Sequence, residues 1–224
     1  MSVVDPQKGR DDLWVRQVAR GVTSRLTFDD GNEMNPAWSP DGERIAYASD
    51  RSGSYRTYIR LASGAGGDDT VATIADNGPS GPTGWSPDGG TLAVRHLGST
   101  QWDIWMMPLL PGAKPSLFLK TPFNEQWARI SPDGRWVAYQ SDQSGRDEVY
   151  VQAVSGAGGK WQISSAGGAR PWWRRDGREI FYRASDQTLM AVPVSAGESF
   201  DAGTPSGCSG SRSSSRERRG SGGP

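Results

Sequence analysis

Apolar side chains in this sequence alternate with polar or small ones over short stretches instead of recurring every third or fourth place. In one stretch Val137, Tyr139 and Ser141 fall on one side, and Trp136, Ala138 and Gln140 on the other. That is the period of a β-strand. The alternating runs are broken by Ser-Pro-Asp-Gly phrases that read as tight reversals. Proline presets φ at the second turn position, aspartate can bond the local backbone, and glycine closes the turn. One unit therefore predicts an inner strand ending near Trp38, a turn, a second strand over 44–49 and a Gly-bearing loop over 50–56. A third strand over 57–62 and a weaker outer strand over 70–74 complete it. Helix start and stop signals are absent, and the chain is expected to be all-β.

The phrase recurs four times, as Trp38-Ser39-Pro40-Asp41-Gly42, Trp85-Ser86-Pro87-Asp88-Gly89, Ile130-Ser131-Pro132-Asp133-Gly134 and Trp173-Arg174-Arg175-Asp176-Gly177. Its copies begin 47, 45 and 43 residues apart. From Trp38 to Ile59 the chain aligns without a gap on Trp85 to Met106 and on Ile130 to Val151. A period of about 40–50 residues built from four short strands is that of a propeller blade. The expected fold is thus an all-β propeller with about four to five blades of four antiparallel strands. Its blades should lie near 12–28 (partial), 35–76, 82–120, 127–164 and 170–194 (partial). Trp38, Trp85 and Trp173 are expected to pack between neighbouring blades. An arc of this length leaves strand edges open, which favours reading the chain as a fragment of a larger ring. Residues 1–11 read as an N-terminal extension. Residues 206–224, rich in Ser, Arg and Gly, read as a disordered tail that cannot bury apolar area.

Composition sharpens this only in places. The 30 glycines and 15 prolines suit many turns, and the 10 tryptophans argue for a packed core rather than disorder. Lys plus Arg and Asp plus Glu are balanced at 25 each, so no basic field marks a nucleic-acid partner and none is expected. No apolar run approaches the ~20 residues of a membrane-spanning helix. Cys208 is the single cysteine and leaves no intrachain disulfide to form.

Catalytic signatures are missing from these residues. There is no Gly-x-Ser-x-Gly elbow, no kinase motif, and His96 is the only histidine. A zinc site lacks ligands, Asp29-Asp30-Gly31-Asn32-Glu33 lacks the spacing of a calcium loop, and no cofactor is implied. His96 reads as a solvated residue of the loop between the second and third strands of its unit. In a propeller, the loops entering the inner strands and those joining second to third strands gather on one face. They carry residues that no turn requires: Asn32, Glu33, Arg51, Tyr55, His96, Trp102, Asn124, Glu125, Gln126, Arg146 and Arg170. These form the candidate partner-binding face, because binding residues tend to sit on variable loops over a rigid scaffold.

Trp38-Ser39-Pro40-Asp41-Gly42, followed by Arg44-Ile45-Ala46-Tyr47, Ser49-Asp50-Arg51-Ser52-Gly53 and Tyr58-Ile59, resembles the WD-type repeat of TolB-like six-bladed propellers. The likeness runs from residue 12 to 205. It extends to the gating propellers of prolyl-oligopeptidase-type peptidases and of the Tricorn protease. Thr121 to Glu125, Ser131 to Tyr139, Glu148 to Gln152, Gly158 to Ser164 and Trp173 to Tyr182 are also similar to the propeller attached C-terminally to bacterial serine/threonine protein kinases. These resemblances imply a noncatalytic module that binds or senses another protein or peptide, as the C-terminal part of such a kinase. The alternatives are a peptidase propeller lacking its hydrolase domain, or a periplasmic TolB-like scaffold. Such parent proteins are often extracytoplasmic. No kinase or hydrolase residue can be carried over, and the chain itself is expected not to be an enzyme.

Overall fold

The computed structural model describes residues 2–5, 9–71 and 73–208. Five antiparallel sheets follow one another along the chain, and the described residues contain no helix. The first sheet holds β1 (Ser2–Asp5), β2 (Arg10–Gln17) and β3 (Val22–Arg25). The second holds β4 (Glu33–Trp38), β5 (Arg44–Ser49), β6 (Arg56–Leu61) and β7 (Asp69–Thr70). The third holds β8 (Ser80–Trp85), β9 (Thr91–Leu97), β10 (Trp102–Pro108) and β11 (Ser116–Leu119). The fourth holds β12 (Glu125–Ile130), β13 (Trp136–Ser141), β14 (Glu148–Ala153) and β15 (Lys160–Gln162). In the fifth, β16 (Gly168–Trp173), β17 (Glu179–Ala184) and β18 (Leu189–Ala196) are followed by β19 (Phe200–Ala202) and β20 (Ser206–Gly207), both paired to β18. The inner strands β4, β8, β12 and β16 pack one against the next and line the axis of the arc.

Each Ser-Pro-Asp-Gly phrase joins the first strand of its sheet to the second. The amides of Gly42, Gly89, Gly134 and Gly177 donate to the carbonyls of Ser39, Ser86, Ser131 and Arg174 at 2.9–3.0 Å. All four glycines have φ between 70° and 77°, where a Cβ would be strained. Ser39, Ser86 and Ser131 bond Asp41, Asp88 and Asp133, and each serine Oγ accepts the amide five residues on at 2.9 Å. The repeated aspartates are therefore turn residues.

Between sheets, Trp85 is buried against Ala37, Ala46 and Ile59 of the preceding sheet, and its Nε1 donates to the Ala37 carbonyl at 3.0 Å. Trp173 does the same to the Arg129 carbonyl at 2.9 Å. Trp38 departs from the expectation: it is 49% exposed, because the sheet before it offers no inner strand for it to cover. Two segments expected to lie outside the blades are structured. Ser2–Asp5 pairs with Arg10–Leu13, inside the expected extension. Beyond Val194, Phe200 is buried with its ring 5.3 Å from both Trp136 and Trp161, which fixes the last outer edge. Ser206–Gly207, the start of the expected tail, pairs with Ala191 and Met190. The remainder of that tail, 209–224, lies outside the described residues, as do residues 1 and 6–8 of the extension.

Candidate functional site

Three of the candidate face residues are corrected by their burial. Glu33 and Glu125 are fully buried and His96 is 1% exposed, so none can touch a partner. Glu33 opens β4 and accepts from Ser49 Oγ at 2.9 Å, while Glu125 opens β12 and accepts from Ser141 and Thr121. Burial pushes the Glu33 carboxyl up to about 7 and raises that of Glu125. His96 lies within β9 rather than in a loop. It stands opposite Ser80, at the ladder position that Ser49 and Ser141 occupy opposite Glu33 and Glu125. Its ring packs edge-on to Trp105 and its Nε2 meets Asp76.

Other candidates hold the loops in place. The Asn32 amide and side chain both donate to Asp50 at 2.7 and 2.9 Å, and Asn124 repeats the device on Asp142 at 2.9 and 2.7 Å. Arg51 pairs with Asp29 and Asp68 at 2.7 and 2.6 Å, and Tyr55 is half-buried beside Asp50. Arg146 donates from Nε to the buried Glu148 at 2.8 Å.

The remaining three, Trp102, Gln126 and Arg170, come together across three sheets. They meet around two residues that sequence reasoning missed, Arg95 and Trp127. The Arg95 guanidinium lies between the rings of Trp102 and Trp127, 4.5 Å from each centroid, and donates to Gln126 Oε1 at 2.8 Å. Arg170 covers Trp127 at 4.1 Å. The result is an alternating stack, Trp102–Arg95–Trp127–Arg170, with each cation–π contact worth about 0.5–2 kcal/mol.

The backbone is bent to build it. The inner strands carry a register irregularity between Met34 and Ala37, Pro82 and Gly84, Gln126 and Arg129, and Ala169 and Trp172. At the aligned bulge position Asn35, Trp127 and Arg170 adopt φ of 54°, 56° and 53°. For a non-glycine residue this conformation costs roughly 1–2 kcal/mol, and bulges commonly re-aim side chains beside functional sites. Toward the Ser-Pro-Asp-Gly turns, the axis holds a cavity of about 260 Å³ whose lining includes Trp38, Gly84, Arg129, Trp172 and Trp173. A Cβ on Gly84 would sit 3.3 Å from Arg129 Cδ, so the glycine makes room for that side chain to cross β8. Desolvation and the neighbouring Arg170 charge hold Arg95 and Arg129 below the ordinary arginine range. Arg170 is lowered likewise, by desolvation and by Arg183.

No family model matches the chain. Among curated proteins it is 31% identical to an uncharacterised protein of Agrobacterium fabrum over 53% of this chain and 39% of the relative. It is 32% identical to the uncharacterised peptidase YuxL of Bacillus subtilis over 37% of this chain and 12% of that protein. It is also 29% identical to the Tol-Pal system protein TolB of Bordetella pertussis over 55% of this chain and 27% of that protein. The chain thus spans 39% or less of the length of these relatives. Among solved structures, a provisionally assigned TolB from Agrobacterium tumefaciens superimposes with a TM-score of 0.68 at 20% identity, covering 81% of this chain and 69% of that one. TolB from Acinetobacter baumannii gives 0.66 at 20% identity, covering 87% and 49%. The fold is that of a TolB-like β-propeller.

Proposed function

We propose that this chain is a noncatalytic binding module that holds another protein or peptide over the loop end of its axial channel. The observation that carries the reading is the Trp102–Arg95–Trp127–Arg170 stack. It gathers tryptophan and arginine, the residue types favoured as interface anchors, with Trp127 and Arg170 on strained backbone of the inner strands. The Bordetella relative is named a Tol-Pal system protein, which is in keeping with such a role. The match to YuxL favours a second reading, a propeller set beside a peptidase domain. Attachment to a bacterial serine/threonine kinase rests on the sequence resemblance alone. A kinase or a hydrolase domain in the same reading frame separates these two.

A displayed peptide library selected on the immobilised chain tests the binding role. Binders should weaken by more than ~1 kcal/mol with Trp102→Ala or Arg170→Ala. They should be indifferent to Glu43→Ala, Arg135→Ala and Arg178→Ala beside the opposite turns. Binders that follow the second set and ignore the first refute the assignment.

A further inference from the structure

Several partly buried arginines elsewhere in this chain are matched by carboxylates, while Arg56 donates to the Gly78 carbonyl instead. Arg25 meets Asp12 at 2.5 Å, Arg51 meets Asp29 and Asp68, and Arg60 meets Asp68 at 3.0 Å. Arg95 and Arg129 are also partly buried, yet among the described residues neither they nor Arg170 and Arg183 have a carboxylate within ion-pair distance. Arg95 Nε is moreover buried with no hydrogen-bond partner. Withdrawing guanidinium groups from water without an anion is unfavourable, and their mutual repulsion adds to that. A chain with balanced charge could have met this need with its own Asp or Glu, as it does at Arg51.

We propose that the axial channel is a carboxylate-binding site, in which Arg95, Arg129 and Arg170 receive an acidic group of a bound peptide. This deepens the binding role argued above and rests on it. Four features of the site suit such an occupant. Of the three arginines only Arg129 lines the cavity of about 260 Å³ on the turn side, a volume for one side chain or a chain terminus rather than a folded surface, while the Arg170 charge acts on both Arg129 and Arg95 from the loop side. Trp38 and Trp172, 49% and 40% exposed, offer apolar walls for the stem that carries the acid. The planar guanidinium forks fit a carboxylate bidentately, which ammonium groups cannot do. Gln126 and Trp127 already hold Arg95 in place, so less side-chain freedom is lost when the anion arrives.

The acid can be a C-terminal carboxylate or an Asp or Glu side chain, and the test separates them. The full chain is immobilised and presented with a displayed library of random peptides with free C-termini. Selected peptides are resynthesised in three forms: unchanged, C-terminally amidated, and with Asp and Glu replaced by Asn and Gln. Affinities are measured by calorimetry at low and high salt, with inorganic phosphate as a separate titrant. We expect one of the two neutralised forms to bind at least tenfold more weakly, and Arg170→Gln to erase that discrimination. Arg129→Lys, which keeps stem and charge, should retain part of it, and Arg129→Gln should lose it. Each variant's melting transition is compared with the unaltered chain, and Arg170, being exposed, supplies the result if Arg129→Gln does not fold. Peptides that bind through Trp102 but tolerate both neutralisations overturn the carboxylate assignment and leave the binding role standing. Phosphate competing as well as the peptide acid overturns it too. Failure of any peptide to depend on Trp102 or Arg170 removes the binding role itself.

Discussion

Glu33 gives a measurable handle on how the blades are held, through Glu33→Gln. The carboxyl is fully buried at the start of β4, accepts one hydrogen bond from Ser49 Oγ, and leaves Oε2 without a partner. Desolvation is the largest influence and carries it from 4.5 to about 7 in the folded chain. Below pH ~4.5 the group is protonated in both the folded and unfolded states and contributes no pH dependence. As pH rises toward 7 the unfolded chain releases this proton while the folded chain keeps it, so stability falls. Above pH 7 the loss is complete and constant. At about 1.4 kcal/mol per pH unit the displacement corresponds to about 3 kcal/mol, an order of magnitude for one buried group. Glutamine keeps the acceptor for Ser49 and carries no charge. Urea denaturation of both proteins at pH 4.5, 6, 7 and 8, followed by tryptophan fluorescence, measures the difference. Contributions of the other carboxylates are common to both proteins and cancel. The variant should match the unaltered chain at pH 4.5 and gain about 3 kcal/mol by pH 8. A difference that does not change with pH, or a variant less stable at pH 8, refutes the reasoning.

Three further outcomes are expected. Phe200→Ala should cost about 3–5 kcal/mol in denaturant midpoint analysis, because the ring is buried among Trp136, Trp161 and Trp173; a loss under ~1 kcal/mol would mean the last outer edge is not packed as described. Gly78→Ala should prevent the third sheet from closing, since the added Cβ would lie 2.0 Å from the Leu97 carbonyl oxygen; unchanged amide-exchange protection in β8 and β9 would contradict this. Trp173→Phe should lose about 1 kcal/mol, the net worth of its hydrogen bond to the Arg129 carbonyl, whereas Trp38→Phe, at an exposed position, should change stability by less than ~0.5 kcal/mol in the same titration.

The strands of each blade were legible because turn chemistry and alternation agree in every copy. Gly42, Gly89, Gly134 and Gly177 all adopt the left-handed backbone the phrase calls for, and β5, β9, β13 and β17 follow at once. His96 belongs to β9 although a polar residue at the end of an apolar run looks like the start of a loop. Nothing in the sequence says that the ladder continues through it to Leu97, opposite Trp102. Glu33 and Glu125 look like surface acids in the sequence for a similar reason. Charge suggests exposure, and only the register shows that each acid faces the serine ending the next strand.

The axial site was hidden by where the repeat was aligned. The copies that begin at Trp38, Trp85 and Ile130 match over the turn and the second and third strands, where every blade needs similar residues, and the match leaves out the inner strands that line the axis. Read backward by one and three places, the copies diverge sharply: Ala37, Gly84, Arg129 and Trp172 in one row, Asn35, Pro82, Trp127 and Arg170 in the other. Scaffold requirements are the same in each blade and cannot produce such differences. The variation has a local use instead, since Gly84 is small where Arg129 must pass, and Trp127 and Arg170 adopt the same bulge and stack on each other. In a repeat protein, divergence at positions facing the axis therefore marks chemistry, as constancy at the turns marks the fold.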